Sequence, residues 1–221
     1  MNGRILNVCF HGIGTAQREL EPGEAAYWIS VDAFHRTLDL LLDRVDVRIS
    51  FDDGNVSDLD IGLPALRERN LWATFFVLAG RLGQPGSLGG DDLRQLTAEG
   101  MRIGTHGMDH RPWRRLEEPT RHRELVEARE LIEEEVGRPV HEAALPLGRY
   151  DRRLLRTLAD LGYTSVHTSD RRWAHPDAWI QPRFSARAND TPDSWRRDVL
   201  STPARRRQLA LDAKGLLKRL R

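Results

Sequence analysis

At 221 residues the chain has the length of one domain with a full hydrophobic core, with room for a short appended tail. Its formal charge is +1, with basic and acidic residues interleaved along most of its length, which removes any global case for nucleic-acid binding. Cys9 is the sole cysteine, so a disulfide framework is excluded, and its apolar neighbours predict a buried, inert thiol.

Short runs with strand character alternate with helical patterns from end to end. The predicted strands are Ile5–Phe10, Val45–Phe51, Ala73–Leu78, Met101–Thr105, Glu142–Leu145, Thr164–His167 and Trp179–Ser185. Between them apolar residues recur three and four apart: Phe34, Leu38, Leu41 and Leu42; Leu93 and Leu96; Leu125, Ala128, Leu131 and Ile132; Leu154, Leu155, Leu158 and Leu161. This alternation predicts a parallel sheet covered by helices, and about seven strand–helix units in this length favour closure into a barrel. Two loops are rich in glycine, residues 11–30 and 80–90, and the second opens into Asp91-Asp92, a predicted helix N-cap. The apolar run at the N-terminus is too short for a signal sequence or a membrane span, so a cytoplasmic location is expected.

The catalytic barrel is expected over residues 1–190 and a basic helical tail over 191–221. From 202 onward the tail carries Arg205, Arg206, Arg207, Lys214, Lys218, Arg219 and Arg221 against Asp212, with an apolar stripe of Leu209, Leu216, Leu217 and Leu220. A helix packed on the domain and a peripheral contact with an anionic membrane both fit this pattern.

The chemistry-bearing residues cluster at predicted strand ends, where barrels build their sites. Asp52 and Asp53 lie one and two places past the end of the second strand, ahead of Gly54; His106 and His110 follow the fourth; His11 follows the first. Adjacent acids on a strand project differently, so one is free to ligate a metal while its neighbour serves as a base. His106 and His110 have the i, i+4 spacing of two imidazoles on one face of a helical turn. One carboxylate and two imidazoles suit Zn2+ first, with Co2+ or Ni2+ as alternatives. Asp109, in the same loop, is either a partner of a ligand or solvated.

These residues resemble the polysaccharide deacetylases of the NodB-homology type (carbohydrate esterase family 4). The family's T/S-F-D-D-G motif is matched by Ser50–Gly54, and its H-x-x-x-H motif by His106-Gly-Met-Asp-His110; the similarity covers about residues 5–186. The resemblance implies a distorted (β/α)7 barrel, with Asp52 as general base and Asp53, His106 and His110 as metal ligands. The family's R-x-P-x-Y/F motif, whose arginine orients the base, is replaced here by Ala144-Leu-Pro-Leu-Gly-Arg-Tyr-Asp151. The Leu147 backbone N–H remains a candidate oxyanion donor, and Arg183 is a candidate for the missing arginine. The late histidine that supplies the general acid has no counterpart, and His11 takes that role in relatives that look circularly permuted. His167 and His175 are the fallback, and Asp170 or Trp173 match the family's Asp/Trp motif loosely.

The implied reaction is hydrolysis of the N-acetyl group of an amino sugar, in a polysaccharide or in a lipid- or nucleotide-linked precursor. Trp28, Trp113 and Trp173 are candidate sugar platforms, whereas Trp72 is expected in the core. An O-ester or non-sugar amide hydrolase on the same scaffold, and a glycan-binding member without turnover, are the alternatives.

Overall fold

A computed structural model describes residues 3–201, 210–213, 215 and 218. Seven parallel strands close into a barrel in sequence order: β1 (Leu6–Phe10), β2 (Val47–Asp53), β3 (Ala73–Val77), β4 (Arg102–Thr105), β5 (Glu142–Ala144), β6 (Ser165–Thr168) and β7 (Ile180–Ser185). This is the (β/α)7 barrel expected from the alternation. The ring closes where β1 pairs with β7, Asn7 opposite Arg183 and Cys9 opposite Ser185. Its weakest seam is β4–β5, held by the single pairing of Thr105 with Ala143, and there the barrel is distorted.

Strand ends differ from the sequence reading at β2. Val45 is fully exposed, and the strand runs on through both acids to Asp53, so the carboxylates belong to the sheet and not to a turn beyond it. The helices largely follow the predicted stripes. Phe34, Leu38 and Leu41 of the helix Val31–Leu41 bury against the barrel, with Phe34 edge-on to Phe10 at 4.9 Å. Phe51 and Phe75 stack at 4.7 Å in the same core. Leu42 and Leu131 are exposed, because each lies a residue beyond the arc that meets the sheet.

Caps hold the helix starts. Ser30 Oγ accepts the Ala33 N–H at 3.1 Å, and Asp151 Oδ1 accepts the Leu154 N–H at 3.0 Å. The helix Gly90–Ala98 departs from the expected cap: Gly89 occupies the N-cap position, and the Asp92 carboxylate reaches back to its N–H at 2.7 Å.

No break marks the boundary expected near residue 190. Trp195 and Val199 are buried in the main core, so the chain through residue 200 completes the barrel's packing. Of the expected tail, Asp212 pairs with Arg4 and Arg172, and Lys218 pairs with Asp170. Leu209, Leu216, Leu217 and Leu220, with Arg205, Arg206, Arg207, Lys214, Arg219 and Arg221, lie outside the described residues.

Candidate active site

The C-terminal ends of the strands open into a cleft of about 280 Å3 whose lining includes His11, Asp52, Asp53, His106, His110, Leu147 and Arg183. The seven residues assigned as catalytic groups or metal ligands from the sequence therefore share one cavity. Asp53 is the last residue of β2 and already left-handed, with φ 77°, and Gly54 follows at φ 67°. The chain thus turns sharply at the site, and a Cβ on Gly54 would also press on Val77 at 3.1 Å. This reversal splits the two carboxylates.

Asp53 Oδ1 is buried and has no hydrogen-bond partner among the described residues, 3.5 Å from His106 Nε2 and 3.6 Å from His110 Nε2. The other ring nitrogens are both engaged: His106 Nδ1 lies 2.9 Å from the Ala144 carbonyl, and His110 Nδ1 lies 2.6 Å from a Glu21 carboxylate oxygen. With Nδ1–H donating in each ring, both Nε2 lone pairs face the orphaned Asp53 oxygen. One carboxylate oxygen and two imidazole nitrogens within 4.8 Å of one another fit a divalent cation. Burial raises the Asp53 pKa, but His11, His106 and His110 outweigh it and hold the group below its ordinary value. Burial also lowers the His106 pKa, against the pull of Asp52 and Asp53, which favours the neutral ring a cation needs.

The two histidines are not on a helical turn. Residues 106–113 form an irregular loop in which Gly107 (φ 87°) and His110 (φ 54°) are left-handed. Buried Glu124 ties this loop down, accepting the Met108 N–H at 2.9 Å, the Asp109 N–H at 3.1 Å and Trp113 Nε1–H at 3.2 Å. A Cβ on Gly107 would meet Glu124 Oε2 at 2.5 Å, so the position demands glycine. Asp109 pairs with Arg123 at 3.0 Å on the surface and does not support either ligand.

Asp52 faces a different partner. Arg183 on β7 grips it at two points, Nη1 to Oδ1 and Nη2 to Oδ2, each 2.6 Å, and Nη1 also reaches Ser50 Oγ at 3.0 Å. Desolvation pushes the Asp52 pKa up, but Arg183 above all, with His106 and His11, drives it far below the usual carboxylate range. The guanidinium absent from the family's third motif thus comes from β7. A ring nitrogen of His11 lies within 4.8 Å of an Asp52 oxygen and of Cys9 Sγ, and the ring stacks on Tyr27 at 5.0 Å. Burial raises the Cys9 thiol pKa well above its ordinary value, so it stays protonated. Leu147 sits on a turn closed by Gly148 N–H on the Leu145 carbonyl, itself at φ 54° and largely exposed on the cleft wall.

Other candidates lie elsewhere. His167 is buried at the opposite end of the barrel, 3.1 Å from Glu142, and His175 is exposed on the surface. Asp170 binds Tyr150 at 2.7 Å and Lys218. Trp113 and Trp173 are buried and Trp28 packs against Gly12, so none of them lines the cleft. Trp72 is 45% exposed at the far end of the barrel and not in the core. Among the described residues Tyr27 is the Phe, Trp or Tyr ring that lines the cleft; Glu21, Glu124 and Tyr27 carry no motif that singles them out.

The sequence model described as polysaccharide deacetylase matches residues 42–166, over half of the chain. The chitooligosaccharide deacetylase of Bradyrhizobium sp. (strain ANU 289) is 32% identical over 135 residues, covering 59% of each protein. YxkH of Bacillus subtilis (strain 168) is 24% identical over 124 residues, 56% of this chain and 44% of that one. The chain thus spans about half the length of these curated relatives. The Streptococcus pyogenes deacetylase PplD, solved with acetate, superposes with a TM-score of 0.77 at 18% identity, over 90% of this chain and 99% of that one, a likeness of fold. Barrel, motifs and family match converge: the chain belongs to the polysaccharide deacetylase family, of the NodB-homology type.

Proposed function

We propose that this protein hydrolyses the acetamide of an N-acetylated amino sugar, with a divalent cation, Zn2+ first by its donor set, held by Asp53, His106 and His110. One observation carries the reading: the orphaned Asp53 oxygen faces two free imidazole nitrogens, while Asp52, one residue away, is tied to Arg183 in the same cleft. A cation in this site supplies Lewis acidity to the acetamide carbonyl and eases ionisation of water. Asp52, locked in orientation and ionised, accepts a proton from the attacking water as its oxygen bonds to the carbonyl carbon. The Leu147 backbone N–H is the protein donor assigned to the oxygen that gains charge. His11, stacked on Tyr27, gives its proton to the sugar nitrogen as the C–N bond breaks. Amide and water become acetate and a protonated amino sugar.

The test is acetate release from N-acetylated glycans by zinc-loaded protein, beside Asp52→Asn and a chelated sample. Asp52→Asn is expected to lower kcat by about 10²–10⁴-fold. Equal rates in wild type and variant would remove Asp52 as the base. Cleavage of O-acetyl but not N-acetyl substrates would assign an esterase.

A further inference from the structure

The Arg171 and Arg187 side chains touch the cleft wall from outside, at Ser185 and Tyr27, Arg171 itself lining a second cavity with Phe184 and Asp198, and among the described residues neither guanidinium has a carboxylate within 4.0 Å. The guanidiniums closer to the site are paired: Arg183 with Asp52, Arg18 with Glu24 and Arg81 with Glu21. Arg171 is held in place by the backbone. Its N–H meets the Arg183 carbonyl at 3.0 Å, its Nη1 meets the Ser185 carbonyl at 2.9 Å, and it adopts φ 48°. A left-handed arginine pinned at both ends is strain that the surrounding structure must offset. Arg187 lies over the Tyr27 ring at 5.7 Å, and the next residue is anchored by Ala188 N–H on the Ala26 carbonyl at 2.9 Å. Tyr27 and Ser185 line the cleft, while the Arg171 guanidinium also lies over the Phe184 ring at 5.5 Å, outside it.

The two cations repel. Burial, and then Arg187, lower the Arg171 pKa, and Asp190 and Asp198 only offset this. Both acids are engaged otherwise: the Asp190 carboxylate accepts the Arg187 N–H at 2.9 Å, and Asp198 pairs with Arg197 at 3.0 Å. Two guanidiniums with no paired carboxylate among the described residues, next to the cleft wall, carry the forked donors that suit a phosphoryl or carboxylate group.

We infer that Arg171 and Arg187 form an oxyanion-binding subsite, and that the glycan carries a phosphoryl or carboxylate group next to the acetamido sugar. This rests on the deacetylase reading. It goes beyond that reading by naming the substrate as anionic.

The experiment compares kcat/KM for three N-acetylglucosamine-containing substrates of equal length: neutral, uronate-bearing and phosphate-bearing. Wild type is expected to prefer an anionic substrate by about 10–100-fold at low salt, the preference shrinking as ionic strength rises. The preferred arm identifies phosphate or carboxylate as the group. Arg187→Ala should bring the ratio close to one through KM, Arg187→Glu should invert it, and Arg187→Lys should restore part of it. Arg187 is exposed, so these variants test charge without disturbing the core. Equal kcat/KM for all three substrates, unchanged by Arg187→Ala, would overturn the subsite. If no substrate releases acetate, the deacetylase reading fails. Calorimetric titration with N-acetylglucosamine 1-phosphate and with glucuronate then judges the subsite by itself: weaker binding to Arg187→Ala supports it, and identical isotherms reject it.

Discussion

Asp52 answers two demands that oppose each other. A general base works best with a pKa near the operating pH, yet the two-point Arg183 pair holds this one far below it. The gain is orientation: both oxygens are fixed, and a buried carboxylate is kept ionised where desolvation alone would protonate it. Removing the guanidinium therefore does more than lose one contact. Arg183→Met should destabilise the protein by about 3–5 kcal/mol, since it strands a buried charge, and the added Asp52→Asn should return much of that loss in denaturant melts. Activity that needs ionised Asp52 is lost as pH falls through its pKa. In Arg183→Met that pKa is higher, so the acid limb of the pH–rate profile should move to higher pH. An unmoved limb would separate Arg183 from the base. The pairing was only partly legible in the sequence. The motif position that usually carries the arginine is Ala144, and nothing local in Gln-Pro-Arg-Phe says that β7 reaches β2 across β1; closure of the barrel does that.

Two loops, not the strands, set the histidines. His106 leaves β4 directly, so its position was readable from the strand end. His110 was not, because the i, i+4 spacing suggests a helix while the chain forms a loop with two left-handed residues. Its geometry comes from Glu124, fourteen residues further on, and Glu21, on the loop after β1. Long-range carboxylates of this kind leave no periodic or motif signal. They also make a prediction about the loop. Glu124→Ala leaves the Met108 and Asp109 N–H groups and Trp113 Nε1–H without their acceptor, and Glu21→Gln weakens the anchor on His110 Nδ1. Each should lower zinc affinity by about 10–100-fold in a chelator competition, with the larger fall for Glu124→Ala. Unchanged affinity in both would show that the loop holds its shape without them.

Closure of the barrel in sequence order places the first strand beside the last, so His11 and Arg183 reach one cleft from opposite ends of the chain. Alternation of elements made the barrel readable; the pairing of β1 with β7 made the distant residues neighbours. The whole molecule also carries a charge set against its own stability. Asp58 is fully buried, and neither carboxylate oxygen has a hydrogen-bond partner among the described residues. Burial, followed by the field of Asp53, raises its pKa well above the ordinary value, and the nearby Asn55 backbone offsets little of this. The sign is opposite to that of Asp52. A raised carboxyl pKa costs nothing below the unfolded value, because the group is protonated in both states. The cost grows as pH rises through that value toward the folded pKa, and then levels off. Asp58→Asn, nearly the same shape without the ionisable proton, should therefore raise stability at pH 7, by about 1.4 kcal/mol for each unit by which folding raises the pKa. At about 2–4 °C per kcal/mol for a chain of this size, the gain is visible in a thermal melt. Below the unfolded carboxyl pKa the difference between variant and wild type should vanish, even as both lose the contribution of Asp52 and Asp53. A gain of equal size at acid and neutral pH would assign the effect to packing and not to the buried charge.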